Sequence, residues 1–152
     1  MKKILFSLFL AGFMLFGLRA DAQTKSSGNI LDQYKWKKRP LLLFAPSAEN
    51  AAYVRQKELI ENERAALADR DMVVVELIGQ DEVYLNGTRQ KGFHGKELRS
   101  RFQVPQEAFS VILIGKDGTE KQRNKETVAL EKIFGLIDQM PMRRQEMRGE
   151  NN

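Results

Sequence analysis

Pro40-Leu41-Leu42-Leu43-Phe44-Ala45-Pro46 is the stretch that decides the fold. An apolar run with no polar alternation leaves no face for water, so a strand made from it is covered on both sides. A second run, Met72-Val73-Val74-Val75-Glu76-Leu77-Ile78, is β-branched and similar in kind. The segment between them predicts a helix, with Ser47 at the N-cap position, Glu49 in the first turn and no Pro or Gly before Gly79. Ala52, Leu59, Ile60 and Leu67 recur on one face of that helix. Gln56 shares this face, either as a hydrogen-bonded core residue or as part of a site. Strand, helix and strand of these lengths make a right-handed βαβ unit with parallel strands.

Towards the C-terminus, Phe109-Ser110-Val111-Ile112-Leu113-Ile114 predicts a third core strand, which Gly115-Lys116-Asp117-Gly118 turns into a short partner over Thr119 to Arg123. Val128, Leu130, Ile133, Phe134, Ile137 and Met140 then follow at helical spacing, and Pro141 stops that helix. The two amphipathic helices are expected to flank the sheet, because apolar runs need both faces covered. Asn86-Gly87, between Val83-Tyr84-Leu85 and Thr88-Arg89, predicts a small hairpin inserted outside the core. Asn86-Gly87-Thr88 also matches a glycosylation sequon, but the turn accounts for the residues without it. Gly95 to Phe102 predicts a short helix that ends before Pro105. The fold class is α/β, a thioredoxin-like three-layer fold (βαβ then ββα) with a small inserted hairpin. It spans residues 31–140, and residues 141–152 form a polar, frayed tail.

The N-terminus places this domain outside the cytoplasm. Lys2 and Lys3 form a positive start, Ile4 to Leu18 is apolar apart from Ser7 and two glycines, and Ala20-Asp21-Ala22 ends in a small-x-small pattern. Residues 1–22 therefore predict a cleaved secretory leader. The apolar stretch is shorter than the roughly 20 residues of a spanning helix. Residues 23–30 follow as a flexible lead. Cleavage removes Lys2, Lys3, Arg19 and Asp21, which lowers the net charge of +5 by two. With no cysteine, the exported domain of roughly 130 residues has to rely on its hydrophobic core for stability, and thiol nucleophiles, redox pairs and cysteine metal sites are all excluded. One histidine leaves a zinc site almost nothing but carboxylates, so no metal site is expected.

Three blocks resemble a known family. Tyr34-x-Trp36-Lys37-x-Arg39-Pro40-Leu41-Leu42-Leu43-Phe44-Ala45, Ile114-Gly115-Lys116-Asp117-Gly118 and Ile137-Asp138-x-Met140-Pro141-Met142-Arg143 are similar to a bacterial domain of unknown function. That domain is related to the DUDES-type domains of secreted sushi-repeat and matrix proteins. The resemblance implies a thioredoxin-like fold, distantly similar to peroxiredoxins, and a family whose oxidoreductase activity is an inference from that fold. It also implies redox cysteines near Ala48 and Ala51 and a strand-opening proline near Ser110, and none of the three is present.

What remains is a set of candidate binding residues: Ser47, Gln56, Trp36, Arg39, Arg70 and Lys116. Ser47 stands where a helix N-terminus attracts anions, and Gln56 with Lys116 or Arg70 would complete a pocket for a carboxylate or phosphate. The alternative is that Ser47 merely caps the helix. Trp36 among Lys35, Lys37, Lys38 and Arg39 has the composition of a nucleic-acid contact. In an exported protein that composition instead predicts a tryptophan packed over the sheet edge with solvated bases around it. Arg39 or Arg70 is a candidate partner for Asp71 or Asp138. The acid pairs Asp81/Glu82 and Glu61/Glu63, and His94 among glycines, lack the paired, oppositely tuned groups that acid-base catalysis needs. The expectation is a periplasmic or secreted, non-catalytic binding or interaction module. It has no cofactor, no nucleic-acid partner and no stable membrane anchor after cleavage. Its partner is an unknown periplasmic or extracellular protein or an anionic small ligand. The alternative is an oxidoreductase-like enzyme that depends on a cofactor or on a partner's thiols.

Overall fold

The computed structural model describes residues 30–149. The leader expected at residues 1–22 and the lead expected after it, through residue 29, lie outside the described residues. A short 3-10 turn, Asp32–Tyr34, opens the domain. β1 (Arg39–Ala45), α1 (Ala51–Asn62), α2 (Arg64–Asp69) and β2 (Met72–Ile78) follow, then β3 (Glu82–Leu85), β4 (Thr88–Arg89) and α3 (Gly95–Phe102). β5 (Ser110–Ile114), β6 (Glu120–Asn124), α4 (Leu130–Asp138) and α5 (Pro141–Gly149) complete it. One six-stranded sheet has the order β4-β3-β2-β1-β5-β6. β1 and β2 are parallel, with Leu41 opposite Val74 and Phe44 opposite Leu77, and every other pair is antiparallel. This is the βαβ-then-ββα order of a thioredoxin-like α/β fold.

The central strands alternate between two cores. Leu41, Leu43 and Ala45 of β1, Val74 and Ile78 of β2, and Val111 and Leu113 of β5 face one core, packed by Tyr53, Ile60, Leu67, Ile133, Phe134 and Ile137. Leu42, Phe44, Val75, Leu77, Ile112 and Ile114 face the other. Both strongly amphipathic helical segments therefore cover the same face, contrary to the expected flanking arrangement. The opposite face is closed by Leu98 and Phe102 of α3, by Val104 and by Ile30 and Leu31. Leu98 and Phe102 lie four residues apart on one side of α3, which is enough apolar surface to close this smaller layer. Ile30, the first described residue, is buried in this layer.

Three further elements differ from the sequence-based expectation. The helix between β1 and β2 breaks at Glu63 (φ −116°, ψ 24°), where the Glu63 N–H closes onto the Ile60 carbonyl and α2 turns to bury Leu67. The hairpin at Asn86-Gly87 forms, both residues having positive φ as that turn requires. It extends the sheet rather than standing outside it, and Val83 is buried in the second core. The tail after Met140 is helical over Pro141–Gly149, since proline suits the first turn of a helix and Arg143 is buried against Asp69 and Asp138.

Candidate functional site

The six candidate residues do not meet in one place. β1 runs from Arg39 to Ala45, so Arg39 and Ser47 lie at opposite ends of the same strand, Arg39 opening it and Ser47 two residues past its close. Ser47 is exposed, and its side chain has no hydrogen-bond partner among the described residues. The helix cap is Asn50, whose Oδ1 accepts the Tyr53 N–H at 3.1 Å, because a turn from Ser47 to Asn50 delays the helix start. Gln56 is fully buried; its amide donates to the Val128 carbonyl at 3.1 Å and accepts the Val128 N–H at 2.8 Å, joining α1 to the segment before α4. Gln56 thus has the structural role, its side-chain nitrogen and oxygen both engaged by the Val128 backbone.

Arg39, Arg70 and Lys116 gather at the N-terminal ends of β1 and β2, in an ion-pair network that locks down α5. The Arg39 guanidinium, 1% exposed, forms two bonds of 3.1 and 3.0 Å to Glu146 and a third to the Arg70 carbonyl. Lys116 donates to Glu146 at 2.7 Å and to Asp71 at 2.8 Å, and Lys38 reaches the other Asp71 oxygen. Arg70 grips both oxygens of Asp138, as the sequence suggested, with its guanidinium 4.5 Å from the Phe134 ring centre. Burial alone would raise the Asp71 carboxyl, but Lys116 and Lys38 outweigh it and bring its pKa to about 2. The cations here are consumed by internal acids, so the network is structural. Trp36 lies beside it and departs most from expectation: it is 61% exposed rather than packed on the sheet. His94 is exposed and faces Asp81 at 3.0 Å.

The arrangement best suited to hold a ligand involves residues that sequence reasoning passed over. A cleft of about 200 Å³ lies between α1, α2 and the Asn86-Gly87 turn. Its floor is Leu43, Ile60, Leu67, Met72 and Val74, and its rim carries Lys57, Glu61 and Arg64. Glu76 is buried at one end of this cleft because, two residues from Val74 and from Ile78, it faces the same core. Its carboxylate accepts from the Tyr53 hydroxyl in a short hydrogen bond, and from Lys57 Nζ at 3.2 Å. Lys57 also donates to the Tyr53 oxygen at 3.3 Å. Burial, then the hydrogen bond and charge of Glu76, push the Tyr53 phenol far above its ordinary value, so it remains a donor. Tyr53 and Lys57 are four apart on one helix face, and Glu76 is the single acid in an apolar strand. That pairing was the available signal.

Chemically, the trio is closed on itself. A phenol with a raised pKa is no base, and the buried carboxylate already has two donors. No serine or threonine lines the cleft. Among the described residues no group of three or more metal-binding side chains is gathered, and no helix is long and apolar enough to cross a membrane. A second pocketed edge lies at the C-terminal ends of β1 and β2. There Arg99, also buried, donates to the carbonyls of Gly79, Pro105, Ala45 and Leu77 and serves as a positively charged clasp for the strand ends.

Comparison with known proteins gives a consistent result. The family model described as a domain of unknown function, DUF4174, matches residues 30–146. Coiled-coil domain-containing protein 80 of Danio rerio is 30% identical over 145 residues, covering 85% of this chain and 17% of that protein. Sushi repeat-containing protein SRPX of Rattus norvegicus is 29% identical over 133 residues, covering 86% of this chain and 29% of that protein. Sushi repeat-containing protein SRPX2 of Homo sapiens is 28% identical over the same span, with 86% and 29% coverage. The chain thus spans less than a third of the length of these relatives.

Proposed function

The chain belongs to the DUF4174 family of domains of unknown function, and from that premise we propose that it is an exported, non-catalytic binding module. Its ligand site is the cleft between α1–α2 and the hairpin turn. The observation that carries this reading is the construction of the cleft. An apolar floor is bordered by Lys57, Glu61 and Arg64, beside a Glu76–Tyr53 pair whose groups satisfy each other and leave no activated nucleophile or base. Such a surface suits an amphipathic ligand, with an apolar body for the floor and a polar group for the rim. The predicted leader at residues 1–22 supports export, and the relatives named for sushi repeats, of which this chain matches less than a third, support a domain that also occurs inside larger proteins.

Chemistry at the position of a thioredoxin-like active site argues the same way. Ala48 and Ala51 stand where the resemblance implies cysteines, and the nearest hydroxyl, Ser47, is not activated by any neighbour. A helix N-terminus stabilises an anion by only about 0.3–2 kcal/mol, far less than a serine would need to ionise near neutral pH.

Two measurements test the proposal. Insulin-reduction and peroxide-consumption assays run beside thioredoxin and peroxiredoxin controls should show no turnover by the chain alone. Titration with 8-anilinonaphthalene-1-sulfonate, an aryl sulfonate that matches floor and rim, should shift the amide resonances of Lys57, Glu61, Arg64 and Asn86. Turnover that disappears in Ser47→Ala, or a probe that binds elsewhere, overturns the reading.

A further inference from the structure

Trp36 is held in a conformation that its side chain does not favour. Its φ is 65°, in the left-handed region, where a bulky residue is a strained outlier. The surroundings impose it. The Trp36 N–H donates to the Lys116 carbonyl at 2.6 Å, and the N–H groups of Lys37 and Lys38 both donate to the Tyr34 carbonyl at 2.9 Å. Lys116 is itself fixed by Asp71 and Glu146. The loop is therefore firmly held, and what it presents to solvent is the chain's sole tryptophan, the most exposed large apolar side chain among the described residues. Glycine would relieve the strain at this position, and tryptophan is the reverse of that choice.

The residues flanking the indole in the chain are both lysines. Lys35 lies 5.9 Å from the ring centre, and neither Lys35 nor Lys37 forms an ion pair among the described residues. Helix α5, anchored to the same end through Glu146, adds Arg144 and Arg148, which also make no ion pair there. The carboxylates of this end are occupied: Asp71, Glu146, Asp138, Asp69 and Asp117 each bind a lysine or arginine, leaving Asp32 as the exception among the described residues. After internal pairing, this end carries an exposed indole between two lysines without ion pairs, with two further unpaired arginines on α5 and Asp32 as its one unpaired acid among the described residues.

We propose that this end docks reversibly on an anionic phospholipid surface, with Trp36 at the headgroup level and Lys35, Lys37, Arg144 and Arg148 over the lipid charges. A protein partner would need a broad, apolar-centred patch, and a lone aromatic ringed by flexible charges does not make one. A second copy would bring like charges together. A lipid interface needs neither: it accepts a single indole at the headgroup boundary and attracts each nearby lysine or arginine. The contact is peripheral and separate from the cleft, so it stands or falls independently of the binding-module reading.

The sole tryptophan supplies its own probe. The full chain is produced with its own leader, purified in processed form, and its start at Gln23 is confirmed by intact mass. Vesicles of phosphatidylglycerol should shift its emission to shorter wavelength and carry the protein in flotation, while vesicles of phosphatidylcholine should do neither. Lys35→Ala and Lys37→Ala should each weaken binding about fivefold, and half-molar salt should abolish it. Trp36→Gly should weaken flotation by at least about tenfold while its thermal midpoint is unchanged or higher, which separates docking from folding. Flotation unaffected by Trp36→Gly overturns the proposal. So does an emission shift that follows protein concentration without vesicles, or one produced by poly-glutamate and not by phosphatidylglycerol.

Discussion

Arg99 illustrates how residue chemistry is decided by position. In the sequence it is one of several charges in a short polar helix, but next to Leu98 and three residues before Phe102 it lies on the inward side of α3. Its guanidinium bridges carbonyls at the ends of β1 and β2 and in the loops that follow, with Phe44 5.5 Å from it, and burial lowers its pKa. A planar fork reaches four carbonyls where an ammonium cannot. Arg99→Lys and Arg99→Met are therefore expected to cost about 2–4 kcal/mol in urea unfolding, with Met the worse because it leaves every carbonyl without this donor. A loss within 0.5 kcal/mol for both contradicts the clasp. Gln56 was legible as one of two alternatives, since a buried amide on an apolar face has to find partners. Glu76 reads in the sequence only as part of a strand, because a sequence does not say which helix residue arrives opposite a strand residue. Trp36 departs from its expected packing for a related reason. Its outward direction comes from a left-handed backbone fixed by a carbonyl eighty positions away.

The three core strands, the parallel pair, the Asn-Gly turn and α3 were readable because each carries a local signal: run length, period or turn chemistry. What was not readable depended on tertiary context. No breaker residue marks the division between α1 and α2, and α5 is polar enough to look frayed until Arg143 is buried against Asp69 and Glu146 meets the buried Arg39. The cap of α1 shows how small such a displacement is. Ser47 and Asn50 are both good capping residues, and only the intervening turn chooses between them. Asn50→Ala is expected to lower stability by about 1 kcal/mol through loss of the bond to the Tyr53 N–H, while Ser47→Ala should stay within about 0.5 kcal/mol. Paired thermal melts decide between them, and equal losses would return the cap to Ser47.

Across the whole molecule, the two ends of the sheet are finished differently. The C-terminal ends of β1 and β2 are closed by one arginine on neutral carbonyls, and the N-terminal ends by an ion-pair network that ties Lys38, Arg39, Arg70, Lys116 and Arg143 to four acids. The second end should respond to acid. Burial opposes ionisation of Asp71, Glu146 and Asp138, but their lysine and arginine partners outweigh it, so all three carboxyls have pKa values below their ordinary ones, Asp71 at about 2 against 3.8. A carboxyl depressed in the folded state binds protons more readily when unfolded. Its stabilising contribution is complete above the ordinary value and is lost as the pH falls through the folded value. The thermal midpoint should therefore fall between pH 4.5 and about 2, with solvent screening reducing the share of Asp71, whose side chain is 39% exposed. Replacing the two acids that Lys116 bridges, Asp71→Asn with Glu146→Gln, should lower the midpoint at neutral pH because Arg39 loses its charged partner. The same variant should flatten the acid limb, since two of the three shifted groups no longer titrate. Circular-dichroism melts across that range measure both effects, and parallel limbs for the two proteins would place the acid sensitivity elsewhere in the chain.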